Sequence, residues 1–290
     1  MKTTTQVRPS TTASYRERIA RAVVAIESDP ALNPSLDTLA GHACLSPFHF
    51  HRVFRAIVGE NPAEYSRRLR LERAAHELLT TDRTASSIGA EAGYPSGTSF
   101  TRAFAARFAA PPAEFRRRQR ARAAPPLSRR DDLAGRIERL APLRVGFIRH
   151  VGPYEDVPPT FARLAVWATA GRPRGQAGNG LLFLGMAHDN PDITPADRLR
   201  FDCCVELTHA AKPANDIAIR ELPGGMYATA LHRGSFDGLA ATYAWLAREF
   251  IPREGRTIRK APALEMYLTQ PDRTPPADQL TEVMIPVRWR

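Results

Sequence analysis

SPFHFHRVFRAIVGENPAEY, residues Ser46 to Tyr65, is built to bury one side and to present the other. At 100° per residue, Phe50, Val53, Phe54 and Ile57 fall on one apolar stripe, the i, i+3, i+4, i+7 spacing of a core-facing helix. Phe48, Arg52 and Arg55 fall on the opposite face. Ser46 suits the cap, Pro47 the first helical position and Gly59 the stop, so both ends of this helix are marked. An apolar stripe backed by aromatic and basic side chains predicts an element that reads DNA.

The stretch recurs at a constant offset. Phe50, Arg52, Phe54, Pro62, Glu64 and Tyr65 match Phe100, Arg102, Phe104, Pro112, Glu114 and Phe115, while upstream Leu39 and Ala43 match Ile88 and Ala92 after one inserted residue. Each copy reads as a short helix (35–42 and 84–92), a tight turn and a second helix, which is the helix-turn-helix layout. Asn61-Pro62-Ala63-Glu64 has the form of a capping box and opens a helix to about Leu79 that joins the copies. On it, Tyr65, Leu69, Ala75, Leu78 and Leu79 are expected to face inward, and Arg67, Arg68, Arg70 and Arg73 to face water or phosphate. An earlier helix, from near Ser14 to before Pro30, offers Tyr15, Ile19, Ala22, Val23 and Ile26 as one face. His49 and His51 point about 200° apart on a helix, which argues against shared metal ligation.

The chain of 290 residues suggests two domains, and its net charge of +11 is unevenly spread. Residues 1–125 carry 19 Lys and Arg against 11 Asp and Glu, which places most of the excess on the segment with the repeated helices. Only Lys2, Lys212 and Lys260 are lysines among 41 basic residues, so location is more telling than total charge. Three cysteines, Cys44, Cys203 and Cys204, cannot form a disulfide framework. With no apolar run of membrane-spanning length, a cytoplasmic protein is expected, associated with the nucleoid and not with a membrane. No cofactor, metal site or catalytic set is expected. Residues 1–13 lack any period and read as a disordered tail, and the basic, Pro-containing run from Arg116 to Arg130 as a linker.

These residues resemble the AraC/XylS family of bacterial transcription regulators, through SPFHFHRVFR, NPAEYSRRLRLERAAHELL and SFTRAFAARFAAPPAEFRR, over about residues 14–118. The resemblance implies two helix-turn-helix units on double-stranded DNA. Phe48, His49, His51 and Arg52 would sit in one major groove, and Gly97, Thr98, Thr101 and Arg102 in the next. Arg55 faces the same way as the first set. Arg52 and Arg102 hold equivalent positions and are the leading candidates for guanine contacts. Ala109 stands where the family usually has Gly, and Pro111 replaces the usual capping Ser.

Beyond the linker, read as 119–134, the period changes to alternation, and a second repeat appears. Ile137, Leu140 and His150 match Ile219, Leu222 and His232, and Met186–Leu207 matches Met266–Val287. Each half reads as two strands, a helix (156–170 and 237–250) and two more strands, a duplicated α+β domain over 135–290. In Ala263–Leu268, alternation puts Leu264, Met266 and Leu268 on one face, suited to lie under a helix, and Glu265 with Tyr267 on the other. The equivalent strand has Gly185 and Ala187 there. An acid beside an aromatic makes a cleft wall for a cationic or aromatic ligand, although an outward Glu is ordinarily just solvated. RVGFIRHVGPYEDV, PALEMYLTQP and LTEVMIPV resemble the gyrase-inhibitor-like (GyrI-like) effector-binding domain. That resemblance implies a small-molecule groove with its acid at Glu265 and aromatic residues at Tyr154, Trp167 and Tyr267. Phe250 stands where the family usually has Trp.

The resulting expectation is an all-α N-terminal domain with two helix-turn-helix units, joined to an α+β effector-binding domain whose ligand alters DNA binding. Two alternatives stay open: a hydrolase of reactive small molecules using Glu265 and Tyr267, and a constitutive DNA binder whose second domain contacts proteins such as RNA polymerase.

Overall fold

A computed structural model describes residues 11–122, 133–170, 181–191, 193–208, 213–214, 216–259, 261–270 and 273–289. They form two compact units, one helical and one built on a sheet.

The helical unit begins with α1 (Thr11–Ser28), which starts inside the stretch read as a tail; the remainder of that tail lies outside the described residues. The first copy is α2 (Leu36–Ala43) and α3 (Pro47–Val58), each opened by a serine whose side chain accepts from a free amide, Ser35 from Thr38 and Ser46 from His49. Cys44 turns the corner between them at φ 52, in the left-handed region, and Gly59 closes α3 at φ 87. The connector α4 (Pro62–Thr80) starts with a reciprocal cap: Glu64 N–H donates to Asn61 Oδ1 and Asn61 N–H to Glu64 Oε2, both at 3.0 Å. The second copy is α5 (Ala85–Glu91) and α6 (Gly97–Phe108), where Ser96 and Ser99 exchange the same kind of bonds. The final helix, α7 (Pro112–Arg122), carries the chain into the stretch read as linker, so the basic run begins as helix. The rest of that linker reading, 123–132, lies outside the described residues.

Phe50 and Phe54 are fully buried among Ile19, Ile26, Leu39 and Leu69, and each such side chain stabilises the fold by about 3 kcal/mol. Ile57 does not join them. It is exposed, and Val58, the last residue of α3, packs on the core instead. In the second copy Phe100 and Phe104 take the same roles, helped by Gly89, where an added Cβ would come within 2.6 Å of the Phe100 ring. Ala109 occupies the left-handed cap of α6 at φ 54, the conformation for which glycine is the natural residue.

The connector corrects one expectation. Arg67 is exposed, but Arg68 is buried against Glu60 and Glu72, Arg70 lies over the Tyr94 ring at 5.1 Å, and Arg73 donates to the Glu27 carbonyl. These three arginines face acids, carbonyls and rings of their own unit, and hydropathy alone does not reveal such partners.

The sheet unit has nine strands among the described residues: β1 (Gly135–Leu140), β2 (Leu143–Val151), β3 (Phe183–Ala187), β4 (Arg200–Glu206), β5 (Ala218–Leu222), β6 (Gly225–Arg233), β7 (Arg256–Ile258), β8 (Ala263–Tyr267) and β9 (Leu280–Trp289). Their order is β1-β6-β9-β8-β3-β4-β2-β5, with β7 pairing β9 beyond the end of β8. α8 (Pro158–Ala170) follows β2, and α9 (Leu239–Trp245) follows β6. α9 continues through a π-helical turn, Leu246–Phe250, into Ile251–Arg253. Pro252 explains the turn: its ring would strike the carbonyl four residues back, and widening the helix avoids that clash. In the widened turn Trp245 and Phe250 come onto one side and stack at 5.4 Å.

Register fixes the faces. Gly146, Gly185, Glu265 and Val283 share one face, Asp202, Met186, Leu264 and Met284 the other. The helices lie on the Glu265 face: Trp167 of α8 fills the space left by Gly146, and Tyr243 of α9 reaches Glu265. The expectation that Leu264, Met266 and Leu268 lie under a helix is therefore reversed. Leu264 is 2% exposed and Leu268 50% exposed, so burial on that face stops before Leu268.

Candidate functional site

Helices α3 and α6, the second helices of the two copies, present unequal surfaces. On α3, Phe48 is 75% exposed and the Arg52 guanidinium lies over its ring at 5.8 Å. Arg52 and Arg55 are exposed and His51 half-buried. His49 is drawn inward, its Nε2 within 3.1 Å of the Tyr15 hydroxyl on α1, so it braces the start of α3. On α6 the corresponding exposed residues are Gly97, Thr98, Thr101 and Arg102, shorter except for the last. Arg52 and Arg102 make no ion pair among the described residues.

The second candidate site lies at the middle of the sheet, where β8 meets β3. Glu265 is 7% exposed and accepts from two tyrosines: Tyr267 to Oε2 at 2.8 Å and Tyr243 to Oε1 at 3.0 Å. Burial pushes its carboxyl above the usual value, and the two hydroxyls pull it only part of the way back. Burial and the neighbouring carboxylate push both tyrosine hydroxyls up as well, so they remain donors. Gly185 sits directly across from Glu265, and a Cβ there would come within 2.5 Å of the Tyr267 hydroxyl and 2.3 Å of Phe201. The absence of a side chain at 185 is what lets Tyr267 lean back to its acid. Ala187, read as the second small neighbour, pairs with Ala263 because the strands run antiparallel.

Aromatic rings ring this acid. Phe161 of α8 meets Tyr267 edge-on at 5.4 Å, and Phe236 meets it at 5.6 Å. Tyr154 donates to the Asp189 carbonyl at 2.8 Å, touches Phe201, and has its hydroxyl raised by burial, by Asp189 and by Glu265. Tyr154 and Tyr267 thus belong to one neighbourhood. Trp167 and Phe250 do not share it with each other. Trp167 rests on β2, whereas Phe250 packs on Gly135 of β1 within the core formed with Ala228, Ala230 and Val283. Strands β1 and β2 stand six places apart in the sheet, about 29 Å at ordinary strand spacing. Tyr243, Phe161 and Phe236 are not among the residues singled out from the sequence, where nothing local marks them as partners of a distant acid.

The opposite face holds another buried acid. Asp202 is fully buried and bonded by Arg149 and His188, the latter at 2.8 Å, with Arg220 at 3.6 Å. Burial alone would raise its carboxyl, but Arg149 and His188 outweigh that and hold it well below the usual range. His150 and His232, matched in the repeat, are structural: each ring Nε2 lies 2.9 Å from a carbonyl, of Pro153 and Ser235 respectively, at the turn that leads towards a helix. Among the described residues no helix is long and apolar enough to cross a membrane.

A model of the GyrI-like small molecule binding domain matches residues 135–288, more than half of the chain, and a helix-turn-helix domain model matches residues 39–118. The chain is 37% identical over 98 residues to the HTH-type transcriptional activator AarP of Providencia stuartii, covering 34% of this chain and 73% of that protein. It is 32% identical over 105 residues to the "Probable transcriptional regulator YgiV" of Escherichia coli K12, covering 36% of this chain and 65% of that one. To the HTH-type transcriptional regulator ArgR of Pseudomonas aeruginosa it is 30% identical over 107 residues, 37% of this chain and 32% of that protein. The chain therefore spans less than two thirds of the length of two of these three relatives. It belongs to the GyrI-like family of small-molecule-binding domains, carried here together with a helix-turn-helix unit of the AraC type.

Proposed function

We propose that this protein is a one-component transcription regulator that binds double-stranded DNA through α3 and α6 and a cationic, aromatic small molecule beside Glu265. The observation that carries the effector half is Glu265 itself. A carboxyl 7% exposed, with tyrosine hydroxyls for partners and rings around it, favours a cation far more than a surface acid does, because the surrounding dielectric is low. Tyr267 and Tyr154 line that site with Tyr243 and Phe161, whereas Trp167 rests on β2 and Phe250 in the core beside β1. On the DNA side, Arg52 and Phe48 lead in one groove and Arg102, Thr98 and Thr101 in the next, with His51 and Arg55 beside the first and His49 setting the pitch of α3.

The working division is a DNA-binding domain over 14–118 whose last helix, α7, runs on to Arg122, a linker over the rest of 119–134 and an effector domain over 135–290, in a cytoplasmic protein. The strand order supports a duplicated origin for the effector domain, since β1, β6, β9 and β8 mirror β5, β2, β4 and β3 about the centre of the sheet. One chain carries two readers, so a monomer spans an asymmetric site. Ligand binding controls transcription by favouring one arrangement of the domains, with RNA polymerase as the downstream partner.

Selection of genomic DNA by the full chain, with and without a panel of cationic aromatic compounds, tests the reading. Recovery of an asymmetric motif whose occupancy changes with a cation is expected. No enrichment over random DNA would contradict it. A second reading, hydrolysis of an electrophilic small molecule, draws on the raised Glu265 carboxyl flanked by Tyr243 and Tyr267, an acid/base set. Turnover of electrophiles that is lost in Glu265→Gln would favour it.

A further inference from the structure

We infer that Glu72 sets the separation between the two reading helices, and so decides which spacing of half-sites the protein accepts. The inference rests on the reading of α3 and α6 as DNA readers. Glu72 lies in the middle of α4 and is 6% exposed. One of its carboxylate oxygens accepts from Arg68 Nη1 and the other from Arg107 Nη2, both at 3.0 Å. Arg68 also donates through Nε to Glu60 at 2.9 Å, and its guanidinium lies over the Tyr65 ring at 5.1 Å. Glu60 directly follows Gly59, the cap of α3, while Arg107 is in the last turn of α6. Glu60, Arg68, Glu72 and Arg107 thus form one chain of ion pairs from the end of the first reader to the end of the second. In it two acids alternate with two bases.

Such a chain contributes definition more than stability, since an apolar pair of equal volume would stabilise the unit at least as well. What an apolar pair lacks is direction. Charge-assisted hydrogen bonds fix both distance and angle, whereas packed methyl groups can slide. A step of one base pair moves a half-site by about 3.4 Å along the duplex and turns it by about 35°, so a fixed pair of readers distinguishes neighbouring spacings. Arg70 supports the same geometry by donating to the Gly93 carbonyl at 3.4 Å, in the turn that precedes α6.

The test uses the full chain and duplexes built on the site that wild type selects, with the two half-sites moved apart or together by one base pair at a time. Affinities are measured by fluorescence anisotropy. Wild type is expected to prefer one spacing by about tenfold or more, and Glu72→Gln to reduce that preference to about threefold or less. Gln keeps one acceptor and can hold only one of the two arginines. Should Glu72→Gln fail to fold, Arg107→Gln answers the same question, because Arg107 is 26% exposed and its loss leaves Arg68 paired with Glu60. The double variant should be no less selective than either single one, and Arg67→Gln, exposed on the same helix, should keep the wild-type preference. A general weakening with an unchanged preference would overturn the inference, as would a wild type that binds well at every spacing. A wild type that selects no site would instead overturn the DNA-reading proposal beneath it.

Discussion

Asp202 and Glu265 are both buried carboxyls on strands of one sheet, separated by β3 alone, and they point to opposite faces. Asp202 is surrounded by Arg149, His188 and Arg220, and its carboxyl is held low. Glu265 is bonded only by the hydroxyls of Tyr243 and Tyr267 among the contacts described, and its carboxyl is held high. The difference separates an acid whose charge is already matched from one that is hydrogen-bonded yet unmatched. Depth of burial does not distinguish them; the charge of the neighbours does. A ligand that brings a positive charge has nothing to offer Asp202 and something to offer Glu265.

Neutralising the first acid should have the largest effect. Asp202→Asn leaves Arg149 and Arg220 without their carboxylate in a buried setting, and a loss of about 3–5 kcal/mol in chemical denaturation is expected. A loss under about 1 kcal/mol would erase the contrast, since Asp202 would then be as dispensable as a solvated acid. Next in size is Gly185→Ala. Its Cβ meets the Tyr267 hydroxyl and Phe201, so it should cost about 1–3 kcal/mol and push Tyr267 from Glu265. Tyrosine fluorescence that is unaltered in this variant would show that the close approach matters little.

The smallest effect concerns pH. The folded-state carboxyl of Glu265 lies above its ordinary value of 4.5, so its contribution to stability is full below that value and fades as pH rises through the raised one. Glu265→Gln lacks this dependence. The stability of the variant relative to wild type should therefore rise between pH 4 and pH 8, and the Gln protein should melt no lower than wild type at the upper end. The opposite slope would mean that Glu265 has a cationic partner after all.

Much of this was legible in the sequence, and the failures share a cause. The doubled helix-turn-helix followed from Phe50, Phe54, Phe100 and Phe104 at a fixed offset, and the caps at Ser46 and Asn61 are local chemistry that the structure repeats bond for bond. Alternation put Glu265 and Tyr267 on one face of their strand. It could not say which face the helices cover, because residues on both faces of the central strands are buried, as Leu264 at 2% and Glu265 at 7% exposure illustrate. Tyr243 and Phe161 reach the acid across the fold, and Arg68 finds Glu60 and Glu72 by the same kind of tertiary approach. A period specifies a face; it does not specify what lies opposite. Pro252, two residues beyond the helix read as 237–250, is the local signal for the π-helical turn at that helix's end.

The most direct test of the account is a calorimetric titration of wild type and Glu265→Gln with a permanently cationic aromatic ligand and a neutral one of equal size. If Glu265 is the unmatched acid that selects the ligand, the variant should lose about 2 kcal/mol or more of affinity for the cation and almost none for the neutral compound. DNA binding without ligand should stay near wild type. Equal affinities of both proteins for both compounds would contradict the claim, and would leave Glu265 as a hydrogen-bonded strand residue with no part in recognition.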